Sequence, residues 1–152
     1  EDQWIDISNK YNLPLHIFRI AGIYGPKRNI IDRMSSGNFI NIIKDNHFFS
    51  RIYIDDLVNI INASMNKPNP ISIYNVADDL PSSLNDVVRY ISEKTGIIID
   101  REVQYSELSE DEKRESFFTE NKKVNNKLIK EELGVILKYP TYIEGYNKII
   151  NC

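Results

Sequence analysis

The stretch from Leu13 to Pro26 constrains the fold of this 152-residue chain more than any other. Leu13-Pro-Leu-His-Ile-Phe18 is short, carries large apolar side chains on both faces, and is introduced by a proline. A strand of that kind belongs in a parallel sheet covered by helices, because a sheet with one wet face alternates apolar and polar residues instead. Arg19-Ile-Ala-Gly-Ile-Tyr-Gly-Pro26 follows directly, ends the strand, and turns at Gly25-Pro26.

The rest of the chain repeats strand and helix. Residues 2–11 read as a helix with Trp4, Ile7, Ser8 and Tyr11 on one face. Asn29 suits an N-cap with Asp32 three residues on, and Gly37 closes a short helix. Phe48 to Ile54 is extended; Asp55 or Asp56 then caps a helix whose Leu57, Ile60, Ile61, Ser64 and Met65 share a face and which Pro68 and Pro70 end. Ile71 to Val76 reads as a second strand apolar on both faces. Ser82 or Ser83 caps the next helix, which bears Leu84, Val87, Val88 and Ile91 and stops at Gly96. This alternation predicts an α/β fold with a parallel sheet. From Asp100 to Thr119 the pattern dissolves into charge with scattered Tyr105, Leu108, Phe117 and Phe118, as in an irregular lobe or lid. A helix over 121–132 ends at Gly134, and Tyr139 to Ile150 packs a last segment of aromatics and isoleucines. With no internal repeat and no low-complexity linker, residues 1–152 read as a single unit.

Composition narrows the classes of function. A net charge of −3 from interspersed acids and bases, with no basic stripe, argues against nucleic acid or an anionic membrane as the main partner. No apolar run approaches bilayer length, and no secretory signal pattern is present. The single cysteine, Cys152, forms no internal disulfide and suits a reducing cytoplasm, which is the expected location. His16 and His47 stand apart from any second ligand-type cluster, so no metal site is expected.

Four blocks, in order along the chain, resemble one family. Arg19-Ile-Ala-Gly-Ile-Tyr-Gly-Pro26 resembles the R-x-x-G-I-Y-G-P motif of the extended short-chain dehydrogenase/reductase superfamily, the NAD-dependent epimerases and dehydratases of nucleotide sugars and their relatives. Ser50-Arg-Ile-Tyr-Ile-Asp-Asp-Leu57 resembles its R-I-H-V-D-D-L, with Tyr53 in place of the histidine. Ile73 to Pro81 resembles Y-N-V-x-D-D-x-P. Asn121 to Leu128, with Glu132-Leu-Gly134 and Tyr139-Pro140, resembles the closing K-R-V-x-N-x-x-L, E-L-G and Y-P block. In the family the first motif falls in mid-protein, and here it opens the chain. The resemblance therefore implies the C-terminal part of a Rossmann-like parallel sheet plus the small substrate-binding lobe, with the Gly-rich N-terminal half outside this chain. Its blocks are more specific for family than for substrate, since one fold hosts many chemistries. The G-I-Y-G-P and Y-P-T-Y-I-E-G segments are most similar to a poorly characterised bacterial subgroup.

The resemblance also implies where chemistry would sit. An active relative needs a Gly-rich phosphate turn and a Tyr-x-x-x-Lys pair upstream of the R-x-x strand. The glycines here, at 22, 25, 37, 96, 134 and 145, are too widely spaced to cradle a pyrophosphate. Tyr90 and Lys94 have the right spacing but lie downstream, beside an apolar helix stripe, and read as boundary and solvent residues; Tyr24 and Arg28 are dismissed likewise. No catalytic residue is expected. Ile20, Ala21, Gly22 and Ile23 match family positions that approach the nicotinamide end of the cofactor, although Ala21 and Gly22 equally suit a tight strand-to-loop turn. Lys27, Arg28 and Asn29 precede a helix and either take a substrate phosphate or stand solvated. Arg51, flanked by apolar residues, wants a carboxylate or phosphate. The family implies a substrate diphosphate; Asp55 or Asp56 would be an internal partner, and the internal pair is favoured. Asp78 and Asp79 read as loop aspartates that bond their own backbone.

The expected function is the substrate-side half of an NAD(P)-dependent nucleotide-sugar epimerase/dehydratase-like oxidoreductase, inactive alone. NAD or NADP would be held by the complete protein and not by this chain by itself. Expected partners are a nucleotide-sugar substrate and either a separate N-terminal half or a second copy at an open strand edge. The rival is a non-catalytic binding module, or a degraded remnant of such an enzyme.

Overall fold

Parallel strand pairs flanked by helices organise the computed structural model, which describes residues 1–68, 71–115, 118 and 120–151. The roles expected of Pro70, Phe117 and Cys152 fall outside these residues. In chain order the elements are α1 (Asp2–Tyr11), β1 (Leu15–Ile20), β2 (Gly22–Tyr24), α2 (Ile31–Ser35), β3 (Ile40–Ile43), β4 (Arg51–Tyr53) and α3 (Ile54–Met65). Then come β5 (Ile71–Val76), α4 (Leu84–Thr95), β6 (Arg101–Gln104), a single 3-10 turn over Tyr105–Glu107, α5 (Glu110–Glu115), α6 (Lys127–Glu131) and α7 (Tyr142–Ile150). All three pairs, β1 with β5, β2 with β4 and β3 with β6, are parallel.

The first two pairs form one continuous structure with a switch of partner in it. β1 runs in register with β5, Leu15 opposite Ile71 and Ile20 opposite Val76. Ala21 still donates its N–H to Val76 O (2.9 Å), whereas Gly22 donates to Ser50 O (3.2 Å), so the chain leaves β5 and takes up β4. Asp78 N–H in turn reaches Arg51 O at 2.6 Å. Beyond β2, Gly25-Pro-Lys-Arg28 closes a reciprocal turn, with Lys27 at φ 66°. Pro26 presets the first turn position, and Lys27 takes the positive φ a type II turn needs at the second.

Several elements follow local sequence closely. α1 and β5 have the expected bounds. Ser83 caps α4 through a capping box with Asp86, and Gly96 ends it in the left-handed region. Thr141 and Glu144 form the same box on α7. Other expectations are corrected. Trp4, Ile7 and Tyr11 are exposed and only Ser8 of α1 is buried. Ile61 and Met65 also face outward, leaving Leu57, Ile60 and Ser64 as the buried side of α3. The expected strand over 13–18 begins two residues later and is half-buried. Ile30 is the N-cap of α2, one residue past Asn29. The stretch from Asp100 is not wholly irregular, because Arg101–Gln104 pairs with β3.

Two apolar clusters result. Ile52, Leu57, Ile60, Tyr74, Val76 and Ile129 pack α3 and α6 on the β1–β5 side. Tyr24, Tyr53, Val87, Val88, Ile91 and Tyr146 pack α4 and α7 beneath β2 and β4. Asp56, fully buried at the start of α3, ties them to the C-terminal region by accepting the N–H groups of Lys138 and Tyr139, both at 2.8 Å.

Candidate functional site

A concave cavity of about 510 Å³ opens where the chain changes strand partner. Gly22, Ile23 and Tyr24 of β2 and Arg51 of β4 form one wall. Phe39, Phe49 and Phe118 contribute an aromatic side, Tyr146 comes from α7, and Arg33 of α2 adds a second guanidinium. A mostly apolar concavity with a few convergent polar groups is the usual form of a small-molecule site. In open α/β sheets such sites lie where strand connectivity switches.

Arg51 is the best-defined polar group. Its Nη1 donates to Phe49 O (3.1 Å), Ser82 O (3.0 Å) and Ser82 Oγ (2.8 Å). The internal partner favoured from sequence is therefore not the one found: Asp56 is engaged by backbone N–H groups, and Asp55 is exposed. All three acceptors are neutral and use one nitrogen, so Nε and Nη2 make no hydrogen bond among the described residues. Burial pulls the guanidinium below its usual value, while Tyr146 and Asp78 oppose that pull. Arg33 lies 5.8 Å from the Phe39 ring centroid.

The surrounding hydroxyls and acids are shaped by burial. Tyr24 is pushed above its ordinary value by desolvation, with Asp78 adding to the shift. Tyr146 is raised by burial, and Arg51 opposes it. Asp78 is 1% exposed and is pushed up to about 7 by burial, against the pull of the Leu80 N–H and Arg51. Its Oδ1 accepts Leu80 N–H at 3.3 Å, the loop-backbone role expected from sequence, whereas its Oδ2 has no hydrogen-bond partner.

Of the residues singled out from sequence, Gly22, Ile23 and Arg51 meet around this cavity. Ile20 ends β1 opposite Val76, and Ala21 is held by the Val76 carbonyl; neither lines the wall. Lys27 and Arg28 stand exposed on the turn. Asn29 works locally, its Nδ2 donating to Gly25 O and its Oδ1 accepting Ile31 N–H. Tyr90 donates to Asn147 Oδ1 at 2.6 Å and packs edge-on to Tyr142, so it joins α4 to α7. Sequence reasoning missed Arg33, Phe39, Phe118 and Tyr146 as cavity residues. Only the third dimension brings them together.

No protein-family model matches this sequence, and no curated protein does. Solved structures do match. A functionally unknown conserved protein from Silicibacter pomeroyi is 41% identical over 99% of this chain, with a TM-score of 0.88, and 52% of its own length is covered. UDP-glucose 4-epimerase from Thermotoga maritima, solved with UDP-glucose, matches at a TM-score of 0.76 and 20% identity, over 98% of this chain and 49% of that one. dTDP-glucose 4,6-dehydratase from Bacillus anthracis, solved with NAD, matches at 0.74 and 16%, over 97% and 47%. The chain thus has the fold of about half of an NAD-dependent epimerase/dehydratase and spans about half the length of the structures it matches. Among the described residues no helix is long and apolar enough to cross a membrane.

Proposed function

We propose that this chain forms the substrate-side, C-terminal half of an NAD(P)-dependent oxidoreductase of the nucleotide-sugar epimerase/dehydratase kind. The observation that carries the proposal is the cavity at the strand switch, which two arginines and three phenylalanines line together. Arg51 offers Nε and Nη2 to a planar or tetrahedral anion, and guanidinium forks suit phosphate oxygens. Arg33 supplies the second charge for a diphosphate. Gly22 fits a further role: a Cβ there would meet only Ser50 O, at an ordinary 3.5 Å, so neither crowding nor a positive φ requires glycine. Its smallness leaves room on the cavity side for a ring, and Gly22 and Ile23 are the residues that would meet the nicotinamide end of NAD or NADP.

The chain fits only that end of the cofactor. Its widely spaced glycines provide no pyrophosphate turn, so the rest of the dinucleotide and the catalytic Tyr-x-x-x-Lys would come from a preceding half. When bound, the nicotinamide supplies hydride chemistry at a substrate carbon. What this chain's residues do is bind the diphosphate, cover the sugar nucleotide with Phe39, Phe49 and Phe118, and exclude water. Alone it does not turn over.

Calorimetric titration tests this. UDP-glucose should bind the chain, with Arg51→Ala weakening it about tenfold or more, as for loss of a charge-assisted hydrogen bond, and Arg33→Ala weakening it less. NAD and NADP should show no useful affinity. A micromolar dissociation constant for either dinucleotide, or a UDP-glucose affinity indifferent to Arg51, would overturn the proposal.

A further inference from the structure

We infer that Asp78 is the counter-charge that sets how tightly the Arg51 end of the cavity holds an anion, so that a diphosphate is taken up together with a proton. This rests on the substrate-side function proposed above and adds a positioning residue to it. The two residues are neighbours across the strand ends, where Asp78 N–H donates to Arg51 O at 2.6 Å. The Arg51 guanidinium then reaches over the loop that Asp78 begins, to both oxygens of Ser82. Its bonded acceptors there are neutral. Asp78 is buried with Oδ2 unpartnered, an arrangement that costs free energy for an ionised carboxylate unless a nearby cation compensates it.

The other charges around Asp78 are accounted for. Asp79, next in the loop, is held by Lys130 and Asn126. Glu144 of α7 is held by the Thr141 N–H and hydroxyl. Tyr24 of β2 stays protonated because burial raises it. Lys123, Lys127 and Lys130 share with Asp78 an open polar cleft. Lys130 is paired with Asp79 and Lys127 with Glu131. Lys123 lies over the Phe48 ring at 3.8 Å, which leaves Arg51 as the cation whose charge Asp78 meets, while burial pushes Asp78 up to about 7.

The sign follows. Below neutral pH Asp78 is uncharged and the full Arg51 charge faces the cavity; above it, Asp78 ionises and offsets that charge. A diphosphate arriving at Arg51 adds negative charge near Asp78 and raises its proton affinity, so binding takes up a proton. One linked proton changes affinity by at most about tenfold per pH unit.

UDP-glucose is a suitable probe, because both its phosphates are esterified and keep their charge across this range. Calorimetry at about pH 6 and about pH 8.5, in buffers of differing ionisation enthalpy, should show affinity falling roughly tenfold with proton uptake. Asp78→Asn, which is nearly isosteric, should bind equally at both. A flat wild-type profile, or the same fall in Asp78→Asn, overturns the inference. Independently of ligand, the Arg51 Nε–H resonance should move with the same midpoint as the Asp78 carboxyl carbon, and a stationary Arg51 signal also overturns it. A chain that binds no UDP-glucose at either pH refutes the proposed function, and the Arg51 resonance still decides the coupling.

Discussion

Gly145→Ala tests how the cavity wall is built. Gly145 lies in α7 against Tyr24, and a methyl at its Cβ position would sit 2.7 Å from Tyr24 Cζ and 2.8 Å from Cε2, with the hydroxyl oxygen closer still. Aromatic neighbours hold Tyr24 on two sides. Its ring stacks on Tyr146 at 5.2 Å and stands edge-on to Tyr53 at 5.3 Å, and Tyr53 is packed on Tyr139 at 4.1 Å. Relief requires α7 to lift from β2 or the Tyr24 ring to leave its stack for the cavity it lines. Overpacking of a filled core costs about 1–3 kcal/mol, and a rigid aromatic stack belongs at the upper end. A loss of about 3 kcal/mol corresponds to a fall in Tm on the order of 10 °C for a domain of this size. Urea unfolding followed by circular dichroism measures it, and Tyr24→Ala in the same background should remove the clash, so the double variant loses less than the sum of the singles. A Gly145→Ala chain within about 0.5 kcal/mol of the wild type would refute this packing.

Asp78 also makes stability depend on pH. Its carboxyl is raised from 3.8 to about 7, so between those values the unfolded chain releases the proton while the folded chain keeps it. Stability therefore falls as pH rises through that window and levels off above it, by at most about 4 kcal/mol; comparing urea midpoints of wild type and Asp78→Asn isolates the contribution, and parallel curves would exclude it. Tyr90→Phe should cost about 1 kcal/mol through the lost bond to Asn147, more than its surface position in the sequence implies, whereas Lys94→Ala stays within about 0.5 kcal/mol. Among the described residues β1 has β5 as its one strand partner, and Trp4, Ile7 and Tyr11 of the preceding helix are exposed, so the isolated chain should self-associate in sedimentation runs and exchange rapidly those amides of 15–20 that face away from β5; a monomer with slow exchange there would show a covered edge.

The sequence resolved elements whose information is local. α4 is written in Ser83, Asp86, the stripe of Leu84, Val87, Val88 and Ile91, and Gly96. The expected helix over 121–132 shrank to Lys127–Glu131 because the chain before it is tied to another segment: Asn121 accepts Phe48 N–H, and Ser50 Oγ bonds Lys122 O and Val124 N–H. β3 and β6 were illegible because each is four residues long and β6 carries Arg101 and Glu102, leaving no period to read. Periodicity found the helices α1 and α3 but not how far their apolar stripes are covered, since Trp4, Ile7 and Tyr11 of α1 and Ile61 and Met65 of α3 are exposed. Arg51 was recognised as a buried-type cation, yet its partner was misjudged, since Asp56 is close in sequence but turns toward the 138–139 backbone. Arg33 carried no sequence signal at all.

An amide chemical-shift map of the 152-residue chain, titrated in turn with UDP-glucose and NAD, tests the central claim most directly. The account predicts that UDP-glucose perturbs Gly22 to Tyr24, Arg33, Arg51 and Phe118 together, the residues that line one cavity, while NAD leaves the spectrum unchanged at comparable concentration. Tight perturbation by NAD, or UDP-glucose shifts centred on the exposed turn at Lys27 and Arg28 instead of on Arg51, would contradict it.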